Sequence, residues 1–281
     1  MAEISSYDWS NIKKRCINED SKFKVGILIA AYGSSNMQSS QAIRYFQARL
    51  EAYYGVPVRI AFTSETLRKR LAHAKTKSDS VLKALQKMAF ERFTHVIVQS
   101  LHLIAGVEYH EVLEDTKIAQ TEFGIKVSFG LPLLQNENDT EQVVLALQSL
   151  VPDAYQENDI VIWMGHGTNH EAEQLYLSLH KVLHTYNDNM YSACMEGSLT
   201  LKEVIAELTL KEKIHKVWLL PLLTVVGKHA LCDMAGDDEK SWKNQIKALG
   251  FECEPYLKGL AESCKIQDIW IDRINNAINA L

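Results

Sequence analysis

The 281-residue chain is 47% apolar and 23% charged, ordinary for a globular protein, and its length suits two domains or one large one. A formal net charge of −5 and a pI near 6.1 exclude the basic face of a typical nucleic-acid binder. No apolar run approaches the roughly 18 residues needed to span a bilayer, and Met1 to Asp20 is polar without an export signal's apolar stretch, so the expectation is a cytoplasmic protein that avoids membranes.

Residues from Lys24 onward read as alternating strands and helices. Val25 to Ala31 is a continuous apolar run closing on Gly33, the pattern of a central parallel strand buried on both faces. Ser34, Ser35 and Asn36 offer caps for a helix through Ala42, Tyr45, Phe46 and Leu50. A strand over Val56 to Phe62, a basic helix from Ser64 to about Ala74, an amphipathic helix over Asp79 to Phe93 and a strand over His95 to Leu101 come next. Beyond a loop at Gly106 come a helix from Glu108 to about Phe123 and a strand over Lys126 to Leu131.

The polar run Asn136-Glu137-Asn138-Asp139 reads as a link between domains, and after a helix to Leu150 the cycle repeats. Strands are expected over Asp159 to Met164, Tyr191 to Met195, Lys216 to Leu223 and Phe251 to Tyr256. Helices are expected from about Glu171 to Asn187, over Thr200 to Thr209 and Trp242 to Leu249, and from Ile266 to Leu281. Such alternation implies right-handed crossovers and parallel sheets. The fold expected is therefore α/β, with two Rossmann-like, doubly wound domains, 1–138 and 139–281, the last helix packing back on the first.

The halves are related by a repeat. Ile27 to Ser34 aligns with Val161 to Thr168 at an offset of 134, and Val96 to Glu108 aligns with Val217 to His229 at an offset of 121. A weaker match, Ile60 to Ser64 with Ser192 to Glu196 at an offset of 132, falls between them in order. The pattern indicates duplication. It puts His166, Glu196 and His229 at the carboxyl ends of three strands, where open α/β sheets hold ligands, with Tyr32, Ser64 and Glu108 at the matching points of the first half.

Two imidazoles and a carboxylate make a three-ligand site with open positions, suited to Co²⁺, Fe²⁺, Ni²⁺ or Zn²⁺. The same trio could instead move protons, since imidazole titrates near neutral pH and a carboxylate can orient it. Singly, each has an ordinary explanation: His229 as a loop or helix-start residue, Glu196 and Glu108 as first-turn acids favoured by the helix dipole. His95 reads as core or boundary, while His180, His184 and His215 carry no pattern. Gly33-Ser34-Ser35 could cradle an anion at a helix start. Neither G-x-G-x-x-G nor G-x-x-x-x-G-K-[ST] is present. The five cysteines (Cys16, Cys194, Cys232, Cys253, Cys264) are dispersed without a C-x-x-C pair, which points to core or surface thiols.

Several ordered motifs add up to a family resemblance. Gln99-Ser100-Leu101-His102-Leu103-Ile104-Ala105-Gly106-Val107-Glu108-Tyr109, Met164-Gly165-His166-Gly167, and Leu220-Pro221-Leu222-Leu223 through Gly227-Lys228-His229-Ala230 with Asp233-Met234-Ala235 and Asp237-Asp238 resemble the anaerobic sirohydrochlorin cobaltochelatases of the CbiK type. Ala61-Phe62-Thr63-Ser64 and Gly130-Leu131-Pro132-Leu133-Leu134 extend the likeness, which runs from Lys24 to the end apart from Tyr32, where phenylalanine would be expected. The resemblance implies the class II chelatase fold of the ferrochelatases and insertion of Co²⁺, as substrate metal and without an organic cofactor, into sirohydrochlorin or precorrin-2 for cobalamin biosynthesis. It makes His166, Glu196 and His229 metal-binding residues, with His166 as the main proton acceptor, and Glu108 an acid facing the tetrapyrrole. The loops bearing Tyr32, Gly33 and Ser34, and His102, Leu103, Ile104, Ala105 and Gly106, become candidate contacts for the macrocycle. Relatives of this kind form homo-oligomers, although the residues themselves carry no signal of one. Insertion of Fe²⁺ or Ni²⁺ into a tetrapyrrole, or a tetrapyrrole or metal carrier, would use the same ligands. A two-lobed solute-binding module and a metallohydrolase are the rivals from other classes; the first usually carries an export signal and the second a second metal or a nucleophile motif.

Overall fold

The computed structural model describes residues 23–34, 36–136, 138–168 and 171–280. The expectations for Ser35, Glu137, Cys16, Leu281 and the polar start of the chain lie outside the described residues. Strands β1 (Val25–Ala31), β2 (Val58–Phe62), β3 (His95–Ser100) and β4 (Lys126–Gly130) form one all-parallel sheet in the order β2-β1-β3-β4. Strands β5 (Ile160–Gly165), β6 (Met190–Cys194), β7 (Val217–Pro221) and β8 (Cys253–Pro255) form a second in the order β6-β5-β7-β8. The expected strand over Phe251 to Tyr256 shrinks to β8, an edge strand ending in a proline that has no donor to give the ladder.

The duplication holds residue for residue. Ile27 pairs with Val58 and Ile97 in the first sheet; at the three sequence offsets, Val161 pairs with Met190 and Trp218 in the second. The loops repeat as well: Leu133 and Leu134 donate to the carbonyls of His102 and Leu103, as Leu260 and Ala261 donate to those of Leu223 and Thr224.

Helices cover both faces of each sheet, as parallel sheets require. Strand alternation divides the burial. Ile27, Ile29 and Ala31 of β1 and Val161 and Trp163 of β5 face a continuous inner core, shared with α1 (Met37–Tyr54), α5 (Asn138–Leu147), α6 (Glu173–Tyr186) and α9 (Cys264–Asn279). Leu28 and Ala30 face an outer core with α3 (Val81–Phe90) and α4 (Val107–Phe123). Ile160, Ile162 and Met164 do the same for α7 (Leu201–Leu208) and α8 (Trp242–Ala248). The short basic helix α2 (Glu65–His73) is capped by Ser64, whose hydroxyl accepts from the Leu67 amide at 3.2 Å.

Helix α9 returns to the first half and packs on β3 and β4. Tyr54 donates to the Ile271 carbonyl at 3.2 Å, and Arg273 forms a 2.6 Å ion pair with the largely buried Asp139. The other Asp139 oxygen accepts from the backbone N–H groups of Gln135 and Asn136, so the polar link is pinned at its end by its own carboxylate. Among the described residues, no helix is long and apolar enough to cross a membrane.

Candidate active site

The order of each sheet reverses direction between β1 and β3 and between β5 and β7, and the loops after those strands flank the crevice where doubly wound sheets take ligands. Three of these four loop regions are bonded to one another. Hydroxyls of Ser34 and Ser39 both donate to the Val226 carbonyl, at 2.9 and 2.7 Å, and Thr224 donates to the Leu101 carbonyl at 2.6 Å. The carboxyl ends of the two sheets are thereby tied to one another.

His166 leaves β5 into this region with its ring exposed to solvent. Its two flanking glycines have different tasks. A Cβ on Gly165 would come within 2.8 Å of the buried Tyr176 ring. Gly167 has φ +79°, and a Cβ there would sit 2.0 Å from the Glu196 carbonyl. That close approach lets the Glu196 amide donate to the His166 carbonyl at 3.0 Å, so the two candidate residues stand on hydrogen-bonded neighbouring loops.

Glu196 differs from a first-turn helix acid. Its first-half counterpart Ser64 caps a helix immediately, but four residues separate Glu196 from Leu201, the first residue of α7, and its side chain is exposed. His229 also departs from its counterpart. Where the first half has α4 with Glu108 in its first turn, the second has a π-helical turn over His229–Met234, closed by the Ala235 amide on the Ala230 carbonyl at 3.1 Å. π-turns inside helices occur frequently at functional sites.

The His166 and His229 rings come together edge to face, with centroids 5.2 Å apart and planes at 83°. With metal–nitrogen bonds of about 2.0–2.1 Å, two imidazoles on one ion must sit roughly this close. The His166 Nδ1 lies 3.3 Å from the Gly167 carbonyl, and the His229 Nδ1 lies 2.8 Å from an Asp233 carboxylate oxygen. Each contact leaves Nε2 to face a ligand. Among the described residues, no three His, Cys, Asp or Glu side chains are gathered as a ready metal cage, so Glu196 is not drawn up with the imidazole pair.

The other wall comes from the first half. Tyr32 is 51% exposed, whereas the Ser34 side chain is buried and occupied in the Val226 contact. Leu103 and Ile104 belong to the inner core, and Ala105 and Gly106 lie half-buried before α4. His102 is the unusual member. Its Nδ1 lies 2.7 Å from the Ser100 hydroxyl, while its Nε2 is sealed from solvent without a partner. Burial pushes its pKa down to about 4, an effect opposed by the nearby Glu108 carboxylate. Burial also raises the Tyr176 phenol above its usual range.

Comparison with known proteins adds the lineage. Residues 25–279 match the family model described as cobalt chelatase (CbiK). The chain belongs to that cobalt chelatase family. It is 45% identical over 260 residues to the sirohydrochlorin cobaltochelatase CbiKC of Nitratidesulfovibrio vulgaris, covering 92% of both chains. It is 32% identical over 201 residues to the sirohydrochlorin cobaltochelatase of Salmonella typhimurium, covering 72% of this chain and 75% of that one. Among solved structures, SirB from Bacillus subtilis with Fe³⁺ superposes with a TM-score of 0.65 at 19% identity, covering 92% of this chain and 97% of that one; the likeness extends the chelatase fold to this family member.

Three features of this cobalt chelatase fold escaped the sequence reading. The Asp233 contact to His229 was signalled only by an i, i+4 spacing inside a motif noted for other reasons. His215, read as patternless, lies 2.7 Å from a buried Asp159 oxygen whose carboxylate also accepts from the Trp218 indole at 2.8 Å. His180 is likewise engaged, at 2.9 Å from the Ser192 carbonyl.

Proposed function

We propose that this protein inserts Co²⁺ into sirohydrochlorin as a step towards cobalamin, working in the cytoplasm on a tetrapyrrole partner and without nucleic acid or membrane. Metal and macrocycle come from the names of the two relatives. The residue roles rest on one observation, the His166–His229 pair held 5.2 Å apart at the switch point of the second sheet. Metallation exchanges two pyrrole N–H protons for one divalent ion, so the site needs a weakly held metal and a base beside the ring. His229 and Glu196 share the ion with His166, and His166 is the principal proton acceptor. Glu108 receives or relays the second proton from the opposite wall. Tyr32, Gly33, Ser34 and the stretch His102 to Gly106 border the macrocycle, and bending of the ring to expose nitrogen lone pairs is offset by binding its peripheral carboxylates. Domains 1–138 and 139–281 each supply one wall, and the protein assembles as a homo-oligomer.

Anaerobic absorbance spectroscopy with sirohydrochlorin and Co²⁺, Fe²⁺ or Ni²⁺ in turn tests the assignment. The parent protein is expected to metallate fastest with Co²⁺, and His166→Ala to lose a factor of about 10²–10⁴, the usual contribution of a positioned base. Equal rates for parent and variant with every metal would remove His166 from the mechanism, and a preference for Fe²⁺ or Ni²⁺ would move the proposal to those metals.

A further inference from the structure

Asp233 is an acid that neither the chain's repeat nor its chemistry at the strand ends accounts for. Its Oδ2 lies 2.8 Å from Nδ1 of His229, four residues earlier in the π-helical turn over His229–Met234. Residues i and i+4 are neighbours on a helical surface, which brings the carboxylate to the ring. The two side chains are 41% and 42% exposed, so an ion pair between them adds little to stability in solvent. A contact that contributes little to folding and yet fixes a ring at the switch point calls for a functional reason.

We infer that Asp233 is a positioning residue for cobalt delivery, holding the His229 proton on Nδ1 so that the Nε2 lone pair faces the metal. Hydrogen bonds of this kind from carboxylate to ligating imidazole fix ring orientation and raise ligand basicity. His166 has a weaker counterpart, a 3.3 Å contact from Nδ1 to the Gly167 carbonyl. The two rings are therefore held unequally, His229 by a carboxylate oxygen at 2.8 Å and His166 by a backbone carbonyl at 3.3 Å. The inference rests on the reading of His229 as a cobalt ligand.

Three variants, Asp233→Ala, Asp233→Asn and His229→Ala, separate these claims. Co²⁺ binding to the full-length protein without macrocycle is followed by titration calorimetry and by the visible absorbance of the bound ion, and turnover by the KM for Co²⁺ against kcat. Asp233→Ala is expected to weaken Co²⁺ binding and raise that KM by about 10–100-fold, the usual cost of losing such a partner, with a smaller effect on kcat. Asp233→Asn keeps an acceptor oxygen but not the charge and is expected to recover only part of the loss, which also covers the case in which the alanine variant fails to fold. The ¹⁵N shifts of the His229 ring should report an Nδ1–H tautomer in the parent and its loss in Asp233→Ala. Unchanged Co²⁺ affinity in Asp233→Ala alongside a loss in His229→Ala overturns the positioning role alone. Loss in Asp233→Asn as complete as in His229→Ala overturns it by making Asp233 a ligand, and unchanged binding in His229→Ala overturns the underlying reading of the site.

Discussion

Gly167 couples backbone geometry to chemistry at a single residue. Its φ of +79° disfavours any L side chain, and the Glu196 carbonyl occupies the place a Cβ would take. Gly167→Ala is expected to cost about 1–3 kcal/mol for the dihedral alone. Chemical denaturation reads that loss, and cobalt insertion should fall with it because the His166 and Glu196 loops can no longer lie together; a variant of parental stability and rate would show that the close approach is dispensable. His102 makes a different prediction. Burial lowers its folded pKa to about 4, below the 6.5 of an exposed imidazole, so the unfolded chain binds the extra proton between those values. Stability from this group is fully present above about pH 6.5 and drains away as pH falls towards 4, by on the order of 3 kcal/mol. Denaturation of parent and His102→Gln across pH 4 to 7 tests it: the difference between the two should shrink with acid, and a constant difference would contradict the burial of a neutral ring.

Among the elements, the strands were the most legible in sequence because a buried parallel strand writes a continuous apolar run; Val25–Ala31 was readable to the residue. The starts of the helices expected from Ser64 and Thr200 fell within one residue of those observed, while the capping role of both residues came only with the structure. The π-helical turn was not, since six residues carry no periodicity that separates it from an α-helical start. Nor was the loop position of Glu196: the repeat gave the right place in the ladder, but the extra residues before Thr200 hold Glu196 away from the helix start that its counterpart Ser64 occupies. The link before α5 shows the same limit. Asp139 looked like one polar residue of a solvated connector, and its pairing with Arg273 depends on a helix 134 residues later. Asp139→Ala strips a nearly buried guanidinium of its partner and two backbone amides of their acceptor, so a loss of about 3–5 kcal/mol is expected. Thermal and urea unfolding measure it, and a loss below about 1 kcal/mol would mean that water replaces the carboxylate.

At the scale of the whole molecule, duplication is readable in the sequence, because offsets of 134, 132 and 121 fix which residues should pair if both sheets share one register. What joins the halves was not readable. The bonds from Ser34, Ser39 and Thr224 connect residues 192, 187 and 123 positions apart, and hydroxyls in such settings carry no sequence pattern. Replacing Ser34 and Ser39 together by alanine leaves the Val226 carbonyl without either donor, with an expected cost of about 1–3 kcal/mol. Hydrogen exchange should then speed up in the loops after β1 and β7, and unchanged protection there would show that the inner core alone holds the halves.

Those three hydroxyl bonds also bear on traffic. A two-lobed protein that swings open on a hinge keeps its lobes unlinked at the ends facing the guest, whereas here Ser34, Ser39 and Thr224 lash the strand ends together. The molecule is built as a slot rather than a jaw. A guest that needed the strand ends to part would first have to break those three bonds.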